Sequence, residues 1–214
     1  MGCGIGMTKL SLSDSVHKII MVAVERERRS RIGETGGEVR SFMRLFIAIP
    51  LSNEMKQRLT EAQGMFHSHN VRGNYTPAEN LHITLAFIGE YHDSDEVLDA
   101  LSRVSFQPFS LAMDHIGCFG ELWWTGFENS DELEVLAGKV RRVLAEAGIP
   151  FDRKRFKAHV TILRKPVFLG KRMGAVEFEP AHMRVEKISL MRSDRGKHGM
   201  IYTELDRGCT DNGP

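Results

Sequence analysis

The chain has 214 residues, and its 42% hydrophobic and 27% charged residues are typical of a globular protein that buries a core. With 29 basic and 28 acidic residues the formal net charge is +1, which excludes a uniformly basic nucleic-acid-binding protein and an acidic solvating tail. No apolar run approaches the roughly 18 residues that cross a bilayer, and three widely separated cysteines fit neither a disulfide framework nor a zinc site, so we expect a cytoplasmic protein without a membrane partner.

The first 42 residues differ in composition from the remainder, since they contain no Trp, Tyr or Pro. The stretch from Ser13 to Arg31 has the apolar spacing of a short helix, and Gly33 to Gly37 would end it. We predict a folded domain over residues 43–207 and a frayed tail over 208–214. Residues 1–42 are then a mobile N-terminal extension, a docking helix or the product of a misassigned start site.

The domain opens with an apolar run stopped by Pro50, which predicts a strand over residues 44–50. Ser52 is placed to cap the helix that follows. Its predicted buried side consists of Met55, Leu59 and Met65. A turn is predicted at Gly73-Asn74.

Strands and helices continue to alternate along the rest of the domain. We predict strands over residues 81–89, 108–117, 122–127, 156–163, 184–192 and 200–205, with a hairpin turn at 195–199 between the last two. We predict helices from Asp93 or Ser94 to about Val104 and from Ser130 to Gly148. No glycine lies between Met43 and Leu51, which argues against Rossmann and P-loop folds. The predicted fold class is α+β.

The sequence carries one internal repeat. Leu81-His82-Ile83-Thr84-Leu85 recurs as Ala158-His159-Val160-Thr161-Ile162, and the two histidines lie 77 residues apart. Because residues i and i+2 of a strand face the same side, each copy presents one imidazole and one hydroxyl to a common surface. Two such strands related by a local twofold would place both imidazoles at one cleft.

A pair of imidazoles beside a pair of hydroxyls suits phosphoryl transfer. An in-line displacement at phosphorus needs a base on the attacking side and an acid on the leaving side. The imidazole pKa lies near neutrality, so one copy can be neutral while the other is protonated. Threonine hydroxyls can donate to the non-bridging phosphate oxygens. A zinc site is a weaker interpretation, because no third Cys, Asp or Glu ligand accompanies either motif.

The positive charge of the chain is concentrated around the second motif. The basic segment, residues 151–172, holds eight basic residues and one acidic residue, whereas residues 43–214 together have a net charge of −1. Such a segment is either a solvated face or a surface that recruits phosphate. Arg164 lies on the opposite strand face from Thr161 if the strand is regular, unless a bend at Lys165-Pro166 redirects it.

Several aromatic side chains are candidates for stacking against a nucleobase. They are Tyr75, Phe87, Phe119, Trp123, Trp124 and Phe127. Trp123 and Trp124 are neighbours in a predicted strand, so they should face opposite sides. The remaining histidines are expected to be surface or structural residues.

The paired His-x-Thr motifs resemble those of the two-histidine (2H) phosphoesterase superfamily. Within it, the run from Met43 to Pro50 is similar to the start of the RNA 2′,3′-cyclic phosphodiesterases, also called 2′-5′ RNA ligases. The segments 80–90 and 156–164 are similar to the two motifs of that family, including the trailing arginine of the second. Ala158 departs from the family, which often has proline there.

The resemblance implies a metal-independent hydrolase without a cofactor, acting on RNA ends or nucleoside 2′,3′-cyclic phosphates to leave a 2′-phosphomonoester. It implies that His82 is the proton donor, that His159 is the proton acceptor, and that Thr84, Thr161 and Arg164 bind the phosphate. It further implies a monomer with two pseudo-symmetric lobes of antiparallel sheet, helices outside and a V-shaped central cleft.

Three other functions are compatible with the same residues. The first is 2′-5′ ligation of tRNA halves in the same cleft. The second is a small-molecule phosphodiesterase acting on an ADP-ribose cyclic phosphate or an oligoadenylate. The third is a module that binds RNA ends without turnover, although two complete motifs argue against it.

Overall fold

The computed structural model describes residues 41–128, 131–169, 181–197 and 199–206. These residues belong to one compact unit that begins at Ser41. The expectations for residues 1–40 and 208–214, and for Lys171 and Arg172 of the basic segment, fall outside the described residues. The domain boundaries therefore stay predictions.

The described residues form nine strands and three α-helices. The strands are β1 (Met43–Pro50), β2 (Val71–Tyr75), β3 (His82–Tyr91), β4 (Phe109–Phe119), β5 (Leu122–Glu128), β6 (Val160–Phe168), β7 (His182–Val185), β8 (Ser189–Gly196) and β9 (Gly199–Leu205). The helices are α1 (Asn53–Ser68), α2 (Ser94–Ser102) and α3 (Asp131–Glu146). None of these helices is long and apolar enough to cross a membrane.

The strands form two antiparallel sheets. The first sheet has the order β3-β1-β8-β9, and the second has the order β2-β6-β5-β4-β7. Helix α3 packs beside β3 and α2, whereas α1 packs against β2, β6 and β7. Strands β3 and β6, which carry the repeated motif, lie close to each other where the sheets meet. The prediction of a two-lobed α+β fold is confirmed.

The helix starts follow the capping residues in the sequence. The hydroxyl of Ser52 accepts a hydrogen bond from the Met55 amide at 3.2 Å, and the Asp93 carboxylate accepts one from the Glu96 amide at 2.9 Å. The apolar face of α1 is buried as expected at Met55 and Leu59, but Phe66 rather than Met65 completes it. Both lobes share one continuous hydrophobic core.

The turn predicted at Gly73-Asn74 is wrong, because these residues lie inside β2. Strand β2 pairs with β6 through an irregular register at this point. A Cβ atom on Gly73 would stand 2.7 Å from Leu163 Cδ1 and 2.9 Å from the Arg164 carbonyl oxygen. Glycine is therefore needed here for close approach of two backbones and not for a reversal of the chain.

Two later strand predictions also need correction. Strand β6 begins at Val160 rather than at residue 156, because its ladder with β5 starts only at the pair Thr125–Val160. It continues past the predicted end at Leu163, because these later residues pair with β2. The single strand predicted over 184–192 is two strands. Strand β7 pairs with β4 in the second sheet and β8 pairs with β1 in the first, so the chain changes sheets between them.

Candidate active site

The repeated residues converge on one cavity. His82, Thr84, His159, Thr161 and Arg164 all line a cleft of about 470 Å³ between the two sheets. That volume lies within the range of small-molecule sites. Both copies of the motif therefore contribute an imidazole and a hydroxyl to one surface, although His159 lies one residue before β6 and not within the predicted strand.

Both imidazoles make the same hydrogen bond to the backbone, from Nδ1 to the carbonyl oxygen two residues earlier. His82 Nδ1–H donates to the carbonyl oxygen of Asn80 at 2.7 Å, and His159 Nδ1–H donates to the carbonyl oxygen of Lys157 at 2.7 Å. A carbonyl can only accept, so Nδ1 carries the proton in each neutral ring. This leaves Nε2 of both rings as the atom available for proton transfer in the cleft. The carbonyl of residue i−2 thus sets the tautomer at both positions.

The surroundings of the two rings differ. His82 is mostly buried, with Phe46 at 4.8 Å and Tyr202 edge-on at 5.2 Å between ring centroids. Its Nε2 lies 3.0 Å from Thr84 Oγ1. Burial lowers the pKa of His82, the hydrogen bond to Asn80 partly opposes this, and the charges of His159 and Arg164 lower the pKa further.

A bulge in β6 explains how Arg164 reaches the cleft. Thr161 and Leu163 pair with the adjacent residues Trp124 and Trp123, so Ile162 is an extra residue in β6. The alternation of faces shifts by one position, and Ile162 and Leu163 are both buried. Arg164 therefore joins Thr161 at the cavity. The redirection comes from this bulge, ahead of the Lys165-Pro166 bend that the sequence suggested.

Strand β3 has the same bulge at the matching place. Its register with β1 skips Leu85, and Leu85 and Ala86 are both buried. Phe87 consequently lines the cavity beside Thr84, 77 residues before Arg164. The repeat thus extends to a third residue, which is aromatic in one copy and cationic in the other. The Arg44 guanidinium lies over the Phe87 ring, 4.9 Å from its centroid.

An aromatic stack adjoins His159. Phe119 lies parallel to Trp124 at 4.7 Å and edge-on to His159 at 5.9 Å. The Lys157 ammonium lies 4.4 Å from the centroid of the Phe119 ring. Phe119 is thus in contact with a second ring and a cation, and Lys157 is the member of the basic segment nearest to His159 in sequence.

The other aromatic candidates lie away from the cleft. Trp123 packs edge-on against the buried Phe66, which matches the expected divergence of Trp123 and Trp124. Tyr75 stacks on His67 at 3.9 Å, and its hydroxyl donates to the Val71 carbonyl. Phe127 is buried. Phe87 is therefore the one residue of that set that lines the described cavity.

Several cleft residues were not found from the sequence. Arg44 and Phe46 come from β1, Ser193 from β8 and Tyr202 from β9. The sequence could have identified Arg44, since it is the charged residue in an otherwise apolar first strand. It could not have identified Tyr202, because nothing in the neighbouring sequence shows that β9 lies against the cleft.

The described donor atoms do not suggest a metal centre. Within the four described ranges, no three His, Cys, Asp or Glu side chains lie close enough together to hold a metal ion. The cleft instead combines two imidazoles, two hydroxyls and the guanidinium of Arg164. These groups can bind an anionic phosphoryl group and move protons on either side of it.

The family model described as the 2′-5′ RNA ligase superfamily matches residues 51–197 of the chain. This range includes both His-x-Thr motifs, all of β2 to β8 and the three helices α1 to α3. The match therefore spans most of the domain rather than one motif.

Similar proteins of known sequence and structure cover the same region. An RNA 2′,3′-cyclic phosphodiesterase of Thermotoga maritima is 30% identical over 175 residues, which cover 76% of this chain and 93% of the relative. One from Archaeoglobus fulgidus is 34% identical, with 76% and 98% covered. The crystal structure of Escherichia coli LigT complexed with 3′-AMP is 26% identical with a TM-score of 0.63, covering 78% of this chain and 96% of LigT.

Proposed function

The chain belongs to the 2′-5′ RNA ligase superfamily, and from this premise we propose that it hydrolyses the terminal 2′,3′-cyclic phosphate of RNA to a 2′-phosphomonoester. Its curated relatives share the name RNA 2′,3′-cyclic phosphodiesterase, which supports cyclic phosphodiesterase activity. One observation carries the proposal further: two imidazoles with the same Nδ1 anchor line one cleft.

The proposed reaction is an in-line displacement at phosphorus. His159 Nε2 accepts a proton from water, and the oxygen of that water forms a bond to phosphorus. The bond from phosphorus to the 3′-oxygen breaks, and His82 Nε2 donates the proton that the leaving oxygen takes up. The product keeps the phosphate on the 2′-oxygen, and the two histidines are restored by proton exchange with solvent.

The phosphate is proposed to be held by three side chains. The hydroxyls of Thr84 and Thr161 lie on opposite sides of the cleft and can donate to non-bridging oxygens. Arg164 supplies a guanidinium that has no ion-pair partner among the described residues. A developing negative charge on phosphorus oxygens is therefore met by donors already in place.

A lowered pKa opposes the role of His82 as proton donor. The negative charge of a bound cyclic phosphate can offset this effect. In the unliganded chain burial lowers the pKa of this ring, because it disfavours the charged form. An anionic cyclic phosphate placed beside Nε2 favours the imidazolium form and raises that pKa. The proposed acid role of His82 requires the protonated ring in this complex, and the proposed base role of His159 requires an Nε2 without a proton.

We expect a bell-shaped pH profile of kcat/KM, because activity needs one proton on the histidine pair. On the acid side, activity falls only when both rings become protonated, and the lowered pKa of His82 places this limb below the ordinary histidine pKa. Tyr202→Ala removes a ring that covers His82, so it should raise the His82 pKa and move the acid limb to higher pH. Tyr202→Phe is the matched control. An unmoved limb in Tyr202→Ala would contradict this account.

The direct test of the proposed function uses nucleoside 2′,3′-cyclic phosphates and a short RNA with a cyclic phosphate end. We expect turnover to a 2′-phosphomonoester, with the product position read by phosphorus NMR and with the rate unchanged by EDTA. A 3′-phosphate product would show that the 2′-oxygen leaves phosphorus, which contradicts the proposed departure of the 3′-oxygen. Absence of turnover on every cyclic substrate, together with tight binding, would favour an RNA-end-binding module.

The same assay separates hydrolysis from ligation. Adding an RNA with a 5′-hydroxyl end offers a second nucleophile in place of water at the proposed site. We expect the 2′-phosphomonoester to remain the main product, since water is in excess and the described cleft is open to solvent. A 2′-5′ linked RNA as the main product would favour ligation instead.

A further inference from the structure

The catalytic cleft continues into a second groove on the first sheet. This upstream groove has a volume of about 640 Å³ and shares Arg44, Ser193 and Met200 with the catalytic cavity. It continues along β8 to Arg195 and past the start of β1 to Phe42. The two spaces are therefore parts of one surface, with the histidine pair at one end.

Strand register places the groove residues on the cleft face of the sheet. Phe46 contacts His82 and pairs with Met191 of β8. Ser193 of β8 pairs with Tyr202 of β9. Alternation along β8 puts Arg195 on the same face as Met191 and Ser193, two residues or about 6.8 Å beyond Ser193. Arg44 and Phe46 share that face in β1 for the same reason.

The groove has cations that are available to a ligand. Arg44 and Arg195 are both exposed, and neither has a carboxylate within ion-pair distance in the described ranges. Of the two acids that line the groove, Asp194 is paired with Arg192 at 2.8 Å, which leaves Glu90. Three guanidinium groups and two carboxylates give the lining a net positive charge.

An exposed aromatic ring lies at the far end of the groove. Phe42 exposes 47% of its surface, and its ring centroid is 5.8 Å from that of His92. Cations that contact a phosphate and an aromatic ring that contacts a base are the two elements of single-stranded nucleic-acid recognition. A mononucleotide held at the histidine pair would leave both elements of this groove unused.

We propose that the upstream groove binds the nucleotide preceding the cyclic end, with Arg195 and Arg44 contacting the phosphodiester that joins the last two nucleotides. The inference rests on the proposed function and adds to it a subsite for the nucleotide that precedes the cyclic end. The chain would prefer an RNA end to a free nucleoside cyclic phosphate, because only a chain of two or more nucleotides carries that phosphodiester.

The test compares kcat/KM for a dinucleotide ending in a 2′,3′-cyclic phosphate with that for the corresponding nucleoside 2′,3′-cyclic phosphate. We expect Arg195→Ala to lower the ratio of the two values about tenfold, the effect of losing one charge-assisted contact. Arg195→Gln should act in the same direction. For the dinucleotide, log kcat/KM decreases as log salt concentration rises. In Arg195→Ala this dependence should become weaker by about 0.7 in slope, the contribution of one phosphate contact of a single strand.

Lys197→Ala is the matched control, since it removes a cation from the same hairpin but outside the groove lining. It should leave the substrate ratio unchanged. An unchanged ratio in Arg195→Ala would overturn the proposal, as would a selective loss for the dinucleotide in Lys157→Ala, which would place the upstream chain on the basic segment. If the unaltered chain turns over neither substrate, the proposed function itself fails.

Discussion

Replacing either His82 or His159 by alanine is expected to lower turnover of a 2′,3′-cyclic phosphate by about 10²–10⁴-fold, the usual contribution of one general acid or base. Each ring presents Nε2 to the cleft and touches the backbone only through Nδ1. Removing both should cost much less than the product of the single losses, because the proposed mechanism uses the two rings in one proton-transfer cycle. Steady-state kinetics of the two single variants and the double variant measure this.

Folding should survive both substitutions. His159 is only partly buried, and the loss of His82 leaves the Asn80 carbonyl and the Thr84 hydroxyl without this ring as a partner, at a cost of about 1 kcal/mol for each hydrogen bond. Thermal unfolding of each variant checks this point. His67→Ala is the matched control, since His67 is an exposed histidine that stacks on Tyr75 away from the cleft and should not affect turnover. Near-normal activity in either cleft variant would end the two-histidine mechanism.

The repeat in the sequence predicted the central part of the site. His82, Thr84, His159 and Thr161 were identified as one constellation because their residue types and the alternation of a strand are local properties. The structure adds that the repeat also covers the Nδ1 anchors and the bulges, which no pattern of side chains reveals. Backbone hydrogen bonds depend on where the preceding residues lie, and sequence alone does not specify that.

The errors in predicting strands have a common cause. The turn expected at Gly73 concerns the ladder between β2 and β6, and the start expected for β6 concerns its ladder with β5. Residues far apart in sequence meet there, and glycine and proline were interpreted by their local preference alone. The division of the predicted strand 184–192 is similar, because a change of sheet depends on partners and leaves no signal in propensity.

The second large effect is expected for Arg164. Replacing it by alanine should lower kcat/KM by about 10²-fold, the loss typical of removing one donor to the charge that develops in the transition state. The side chain is exposed and lines the cleft, so its removal leaves no cavity in the core. Arg164→Lys keeps the charge but lacks the two-pronged donor geometry, and it should recover only part of the activity.

Arg72→Ala provides the control for charge, because Arg72 is an exposed arginine on the neighbouring strand β2 and does not line the cavity. The comparison also tests the bulge at Ile162. In a regular strand Arg164 would share a face with Ile162, turned away from Thr161, and its loss would affect stability rather than kcat/KM. Equal kinetics for Arg164→Ala and Arg72→Ala would therefore contradict both the phosphate role of Arg164 and the phase shift that brings it to the cleft.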